Sequence, residues 1–399
     1  MKNFLLIVIV LFSSCNIVRT TYNAKPSAIQ TQEPVPLMLG GRHYEGRVGD
    51  LVLIKDGYWG LPDEPRKCFI EDASSLFYVR FDINPLDQNK MNSFENVELL
   101  TNIKSLRIYG ENLDSVDFSP LSVLKTLKYL TIEGEKLDCV DFSPLSALSA
   151  LEELIIKGNI SSPPDLTSLE TLTWIVIKES ALESFEGLGA PNVKKMEIQM
   201  KTFDSLAPLS NLTELDFLDI ETPGSIFTAI GDIKNVPRLK TLFLGTDGII
   251  DLTGIEQLTG LIDLRLGLSA TPVNAQGISR LRNLELLVMS IIEDENPSIE
   301  YLRGLPNLQS VSINGKSSLW DSVIKEPYQI LDVSPLGESP KLEDIDLRGF
   351  IIKNVSALNH LENLRYNAII LDESRLFDEA EAERSTKWLI FDVSILRDG

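Results

Sequence analysis

Histidine is almost missing from this chain of 399 residues. His43 and His360 are the only two, and they lie far apart in sequence. Neither stands near a nucleophile motif, and there is no G-x-S-x-G, H-E-x-x-H, P-loop or dinucleotide-binding glycine pattern. No catalytic residue, cofactor or metal site is therefore expected, and the acidic strand Asp344-Ile345-Asp346 reads as exposed charge. Cysteine is scarce as well. Cys15, Cys68 and Cys139 are too few for a disulfide scaffold or a zinc ligand set. Positive charge is outnumbered, with 37 Lys and Arg against 58 Asp and Glu, a formal net charge of −21, and the basic residues form no long run. Such a surface repels phosphate backbones, which argues against a nucleic-acid partner.

What the sequence does have begins at its start. Lys2 precedes an unbroken apolar run from Phe4 to Phe12, followed by Ser13, Ser14 and Cys15. The layout is that of a secretory signal peptide. The run is too short to cross a bilayer, which takes about 20 residues. The Ser-Ser-Cys ending resembles the lipobox of bacterial lipoproteins, although Phe12 stands where that motif usually has Leu. The resemblance implies that Cys15 is lipidated and that the membrane is a partner through this lipid. Asn16, rather than Asp, follows the cysteine, which by the same resemblance favours the outer membrane of a Gram-negative envelope. Residues 16–36 are polar and read as a tether.

From about residue 103 the sequence repeats itself. The unit opens L-x-x-L-x-L, most clearly in Leu127-Leu130-Ile132, Leu151-Leu154-Ile156, Leu239-Leu242-Leu244 and Leu261-Leu264-Leu266. Twelve such openings run from Ile103 to Leu364, most of them 21–24 residues apart and one 34. In L-x-L the two apolar residues point inward from a short strand while their neighbours point out. One unit cannot bury its own apolar face. Stacked units bury a continuous ribbon, and their strands join into one parallel sheet. The period and the L-x-x-L-x-L core match leucine-rich repeats. The expected fold is therefore an α/β repeat solenoid: a horseshoe or curved rod with a parallel concave sheet and short helical or 3₁₀ convex segments. Asp117-Phe118-Ser119-Pro120-Leu121, Asp141-Phe142-Ser143-Pro144-Leu145 and Asp332-Val333-Ser334-Pro335-Leu336, with Ala207-Pro208-Leu209 as a degenerate copy, mark the convex turns. Ser before Pro suits an N-cap and first helical position, with Leu121 and Leu145 facing the core. Cys139 occupies the place of Ser115 one repeat earlier, a tolerant turn position.

This phrasing resembles the internalin-type repeats of bacterial surface proteins over about residues 100–371. That family usually carries Asn two residues after the strand, where its amide satisfies the turn backbone. Here only Asn159 matches, so the turns are expected to be less regular and no specific internalin activity is implied.

The expected organisation is a signal peptide over 1–14, a lipidated tether over 15–36, an N-terminal cap over 37–100, about 12 repeat units over 101–371 and a C-terminal cap over 372–399. Leu76, Val79 and Phe81 fit a degenerate first repeat. The 34-residue unit carries an insertion around Lys316–Ile330 with Trp320 and Tyr328, which is either a neutral excursion or a second contact site.

In each unit the second, fourth and sixth residues after the first apolar position face out along the concave side. Down the array these places hold Tyr109, Tyr129, Ile155, Trp174, Val176, Phe217 and Phe243, with Leu286 and Val288 further on. Charged neighbours include Arg107, Lys157, Lys178, Lys195, Glu197, Asp219 and Glu221. Aromatics with a charged rim are typical binding anchors, whereas strand propensity alone also favours aromatics. The expected role is binding of a protein or peptide partner through the concave sheet, with no enzymatic activity. A structural envelope element without a discrete ligand, and a carbohydrate-binding adhesin, are the alternatives.

Overall fold

The computed structural model describes residues 93–364 except 204, 223–229, 247, 268–270, 292–296 and 316–328, together with the strands Met38–Leu39, Arg42–His43, Glu45–Gly46, Arg66–Lys67, Tyr78–Ile83 and Tyr366–Ile369. Cys15, Cys68, Trp320, Tyr328 and residues 372–399 lie outside the described residues.

Thirteen strands form one parallel ladder in chain order. They are β1 Tyr78–Ile83, β2 Ser105–Gly110, β3 Tyr129–Lys136, β4 Glu153–Asn159, β5 Trp174–Lys178, β6 Lys195–Gln199, β7 Phe217–Thr222, β8 Thr241–Thr246, β9 Asp263–Leu266, β10 Leu286–Ile291, β11 Ser310–Gly315, β12 Asp344–Arg348 and β13 Tyr366–Ile369. The ladder thus starts one strand before Ile103, at the degenerate repeat around Phe81. The L-x-L pair of each unit stacks on the next without slipping: Leu106, Leu130, Leu154, Ile175, Met196, Leu218, Leu242, Leu264, Leu287, Val311 and Ile345 form one row. Each of these side chains is at most 2% exposed. A one-residue slip would turn this row to solvent, so the apolar period fixes the register. The long unit keeps it too. β11 pairs directly with β12, and a short strand before the 3₁₀ turn, Gln329–Asp332, pairs in parallel with Phe350–Lys353 away from the main ladder, as Ile249–Asp251 does with Thr271–Val273.

Every helical segment among the described residues is a 3₁₀ turn. The repeated phrases fall where expected, at Ser119–Val123, Ser143–Ala147, Ala207–Leu209 and Ser334–Glu338, with Leu121 and Leu145 fully buried. The cap differs from the expectation. Ser119 and Ser143 are the first residues of their turns, and the capping group is the Asp two positions earlier. Asp117 accepts the Ser119 N–H at 2.8 Å, Asp141 that of Ser143 at 2.9 Å and Asp332 that of Ser334 at 2.9 Å. Asp165 and Asp251 do the same for Thr167 and Thr253, and Ser184 and Ser205 for Glu186 and Ala207. At Ser119, Ser143, Ala207 and Ser334 the short carboxylate or hydroxyl two residues back reaches the orphan N–H that a 3₁₀ start leaves open, and at Thr167, Glu186 and Thr253 it closes a plain turn.

A second set of polar contacts links successive units ahead of the strands. In five units the residue just before the opening apolar position donates its side chain to a backbone carbonyl of the preceding unit. Thr126 reaches Ile103 O at 2.8 Å, Thr171 Leu151 O at 2.7 Å, Asn192 Glu170 O at 2.8 Å, Asn283 Thr259 O at 2.9 Å and Asn307 Arg282 O at 2.8 Å. Between the sheet and the 3₁₀ side runs a spine of edge-to-face phenylalanines, Phe81, Phe94, Phe118 and Phe142, with centroids 5.1–6.0 Å apart. At the strand ends Gly110, Gly134 and Gly158 pack backbone on backbone in successive units. Cys139 is exposed on a turn.

Candidate binding face

The outward residues of the sheet form three rows across the ladder. The first row runs Tyr129, Glu153, Trp174, Lys195, Phe217, Thr241. The second runs Arg107, Thr131, Ile155, Val176, Glu197, Asp219, Phe243, Arg265. The third contains Tyr109, Glu133, Lys157 and Lys178, and further on Gln199 and Glu221.

The anchors expected from the sequence are gathered on this face but are not equally presented. Tyr109 and Tyr129 are exposed. Ile155, Trp174, Phe217 and Phe243 are half-buried. Val176 is buried, contrary to expectation. Trp174 and Lys178 flank it on its own strand and Ile155 and Glu197 across the ladder, and a valine ringed by longer side chains has little path to solvent. Leu286 and Val288 are half-buried farther along. Trp174 and Phe217 share a row with Lys195 between them, so they stand about 10 Å apart.

Charge is paired at one end of the face. Arg107 and Lys157 both bind Glu133, at 2.8 and 3.3 Å. Burial pushes the Glu133 carboxyl up, but the two cations outweigh it and hold it below the usual range. Arg80 lies over the Tyr109 ring at 5.8 Å and Lys195 over the Trp174 ring at 5.7 Å. Beyond β8, Asp263 holds Arg265 at 2.9 Å and Asp346 holds Arg348 at 2.8 Å. Among the described residues no group of His, Cys, Asp and Glu has metal-binding geometry.

The middle of the face is less settled. Trp174 Nε1 and Asp219 Oδ1 are buried without a hydrogen-bond partner among the described residues. Lys178 approaches Asp219 at 3.9 Å and Glu221 at 3.6 Å. Burial pushes the Asp219 carboxyl up to about 6, Lys178 opposes the shift, and Glu221 and Glu197 add to it. The sequence showed Asp219 only as one charged neighbour among several, because its burial and its missing partner depend on three adjacent strands.

The raised value has a sign that can be tested. A carboxyl titrating near 6 when folded, against an ordinary 3.8, favours the folded state least where it is ionised. The penalty is absent below the ordinary value, grows as pH rises between the two, and is fully present above 6. Asp219→Asn is expected to stabilise the fold at pH 7.5 by about 1 kcal/mol, a figure already reduced for the residual contact of this carboxylate with water. At pH 4 or below the gain should vanish. Denaturant unfolding of both proteins at the two pH values checks this, and an equal effect at both would contradict it.

No family model matches the chain, and a search of curated proteins returns no match. Solved structures do match. The chain is similar to an internalin from Listeria monocytogenes, with 18% identity and a TM-score of 0.56 over 77% of this chain and 90% of that one. Two others are the ectodomain of the plant membrane receptor kinase GASSHO1/SCHENGEN3 from Arabidopsis thaliana in complex with Casparian strip integrity factor 2, and a leucine-rich-repeat protein from Leptospira interrogans. The first has 16% identity and a TM-score of 0.43 over 72% of this chain and 38% of that one, and the second 16% and 0.41 over 80% and 95%. With the ladder and the register described above, the likeness to the internalin establishes the architecture: the chain folds as a curved leucine-rich-repeat solenoid.

Proposed function

We propose that this protein binds a protein or peptide partner through the outward face of its sheet, centred on β3 to β8. One observation carries the reading. An aromatic row, Tyr129, Trp174 and Phe217, lies beside two buried polar atoms, Trp174 Nε1 and Asp219 Oδ1, that lack partners among the described residues. An unmet buried donor or acceptor costs about 1–3 kcal/mol. A solvent-facing sheet that keeps two of them beside large aromatics has the makings of a recognition site. A peptide supplies both a carbonyl for the indole and a donor for the carboxylate.

Site-directed photo-crosslinking tests this. Benzoylphenylalanine placed at Tyr129, on the face, is expected to trap the partner. The same residue at Val123, which is exposed on a 3₁₀ turn, is expected to trap nothing. A product from position 123 alone would move recognition off the sheet. A product that is carbohydrate would select the adhesin alternative, and equal silence at both positions would favour a structural envelope role without a ligand.

The sequence around Cys15 supports anchoring of this face to a bacterial envelope. In this reading Cys15 carries the lipid, the outer membrane is the favoured location and the polar segment after it is the spacer. Several acyl chains hold a protein on a bilayer stably, whereas one does so only marginally. Cys15→Ser is expected to shift the protein from the membrane to the soluble fraction and to abolish labelling by a fatty-acid analogue. Unchanged membrane recovery would rule the anchor out.

A further inference from the structure

We infer that the face contains a cation subsite, in which an arginine or lysine side chain of the bound partner docks on Asp219 between Phe217 and Phe243. The inference rests on the binding role proposed above and names the chemistry of one anchor. Asp219 stands directly across the ladder from Glu197 on one side and Phe243 on the other. Phe217 and Glu221 lie two residues away on its own strand, facing the same way. Three carboxylates and two aromatic rings therefore surround one small area of a parallel sheet.

The cations already present leave this area undersupplied. Among the described residues Lys178 is the cation that reaches it, at 3.9 Å from Asp219 Oδ2 and 3.6 Å from Glu221 Oε1. Lys195 lies over the Trp174 ring. Arg265, next to Phe243 in the same row, turns back to Asp263 of its own strand at 2.9–3.2 Å. Asp219 Oδ1 is left without a partner among the described residues. Rotation of the carboxylate about its last torsion, which is soft, brings either oxygen to an incoming donor. A guanidinium fits such a place well. It pairs with a carboxylate through two parallel hydrogen bonds, is held by further negative charge, and stacks on aromatic faces. The pairing also removes the cost of a half-buried charge shared among too few cations.

The test is selection of twelve-residue peptides from a random display library on the intact protein. Selected peptides are expected to be rich in arginine or lysine. A chosen peptide is expected to lose at least tenfold in affinity for Asp219→Asn, and as much again for the wild type when its arginine is replaced by neutral citrulline. The two changes together should cost no more than either alone, because they remove the same contact. Glu221→Gln, at a more exposed position, should weaken binding in the same direction by less, and it keeps the test open if the first variant folds poorly. Peptides that bind Asp219→Asn as well as wild type but are lost on Trp174→Ala would overturn the subsite and leave the binding face standing. Peptides indifferent to both changes, or no selected peptides at all, would count against the subsite and the face together.

Discussion

Gly158→Ala is expected to destabilise the protein by about 3–5 kcal/mol, the range reserved for backbone strain and overpacking in a core. A methyl group built there would lie 1.8 Å from Gly134 O and 2.9 Å from Leu137 Cδ1, and the backbone φ of +142° is one that side-chain-bearing residues rarely adopt. The clash cannot be relieved locally. A methyl group at Gly134 would likewise lie 2.6 Å from Gly110 O, and one at Gly110 would clash with Ile83 O, so the neighbouring units are packed as closely and cannot give way. Gly189→Ala is the internal control. Its methyl would meet nothing closer than Pro208 O at 3.4 Å, and the change should stay within about 1 kcal/mol of wild type. Denaturant midpoints for the three proteins decide the matter, and equal effects of the two substitutions would contradict this account of the strand ends.

The second large effect belongs to the binding face. Replacing Trp174 and Phe217 together with alanine is expected to weaken partner binding at least about 100-fold, since buried aromatic anchors at interfaces commonly contribute about 2 kcal/mol or more each. The two rings lie in one row with only Lys195 between them, so one extended segment can cover both. Each single change should show a clear part of the loss. At a separation of about 10 Å the two effects should roughly add. Neither substitution touches the inward row from Leu106 to Ile345, so the ladder and its far-ultraviolet circular dichroism should survive.

The architecture was legible in the sequence because its cause is local. Leu130 with Ile132, or Leu242 with Leu244, declare their inward direction by spacing alone, and the repeat of that spacing implies the ladder. The 3₁₀ turns at Ser119 and Ser143 were legible for the same reason. Their caps were not. Ser before Pro suggested itself as the capping residue, but Asp117 and Asp141 do the capping, since Ser119 and Ser143 are already the first residues of their turns. The side-chain contacts of Thr126, Thr171, Asn192, Asn283 and Asn307 join residues twenty or more positions apart, and nothing within one unit announces them. The same holds on the binding face. Alternation placed Val176 outward and could not show that longer neighbours bury it. It also could not separate Asp219, which shares one lysine with Glu221, from Glu133, which is held by two cations.

The most direct test of the recognition role compares capture from envelope and host extracts by the intact wild-type protein and by the Trp174→Ala/Phe217→Ala variant, with folding checked by circular dichroism. The account predicts a partner held by the wild type and lost by the folded variant. Equal capture by both would contradict a binding site on this face.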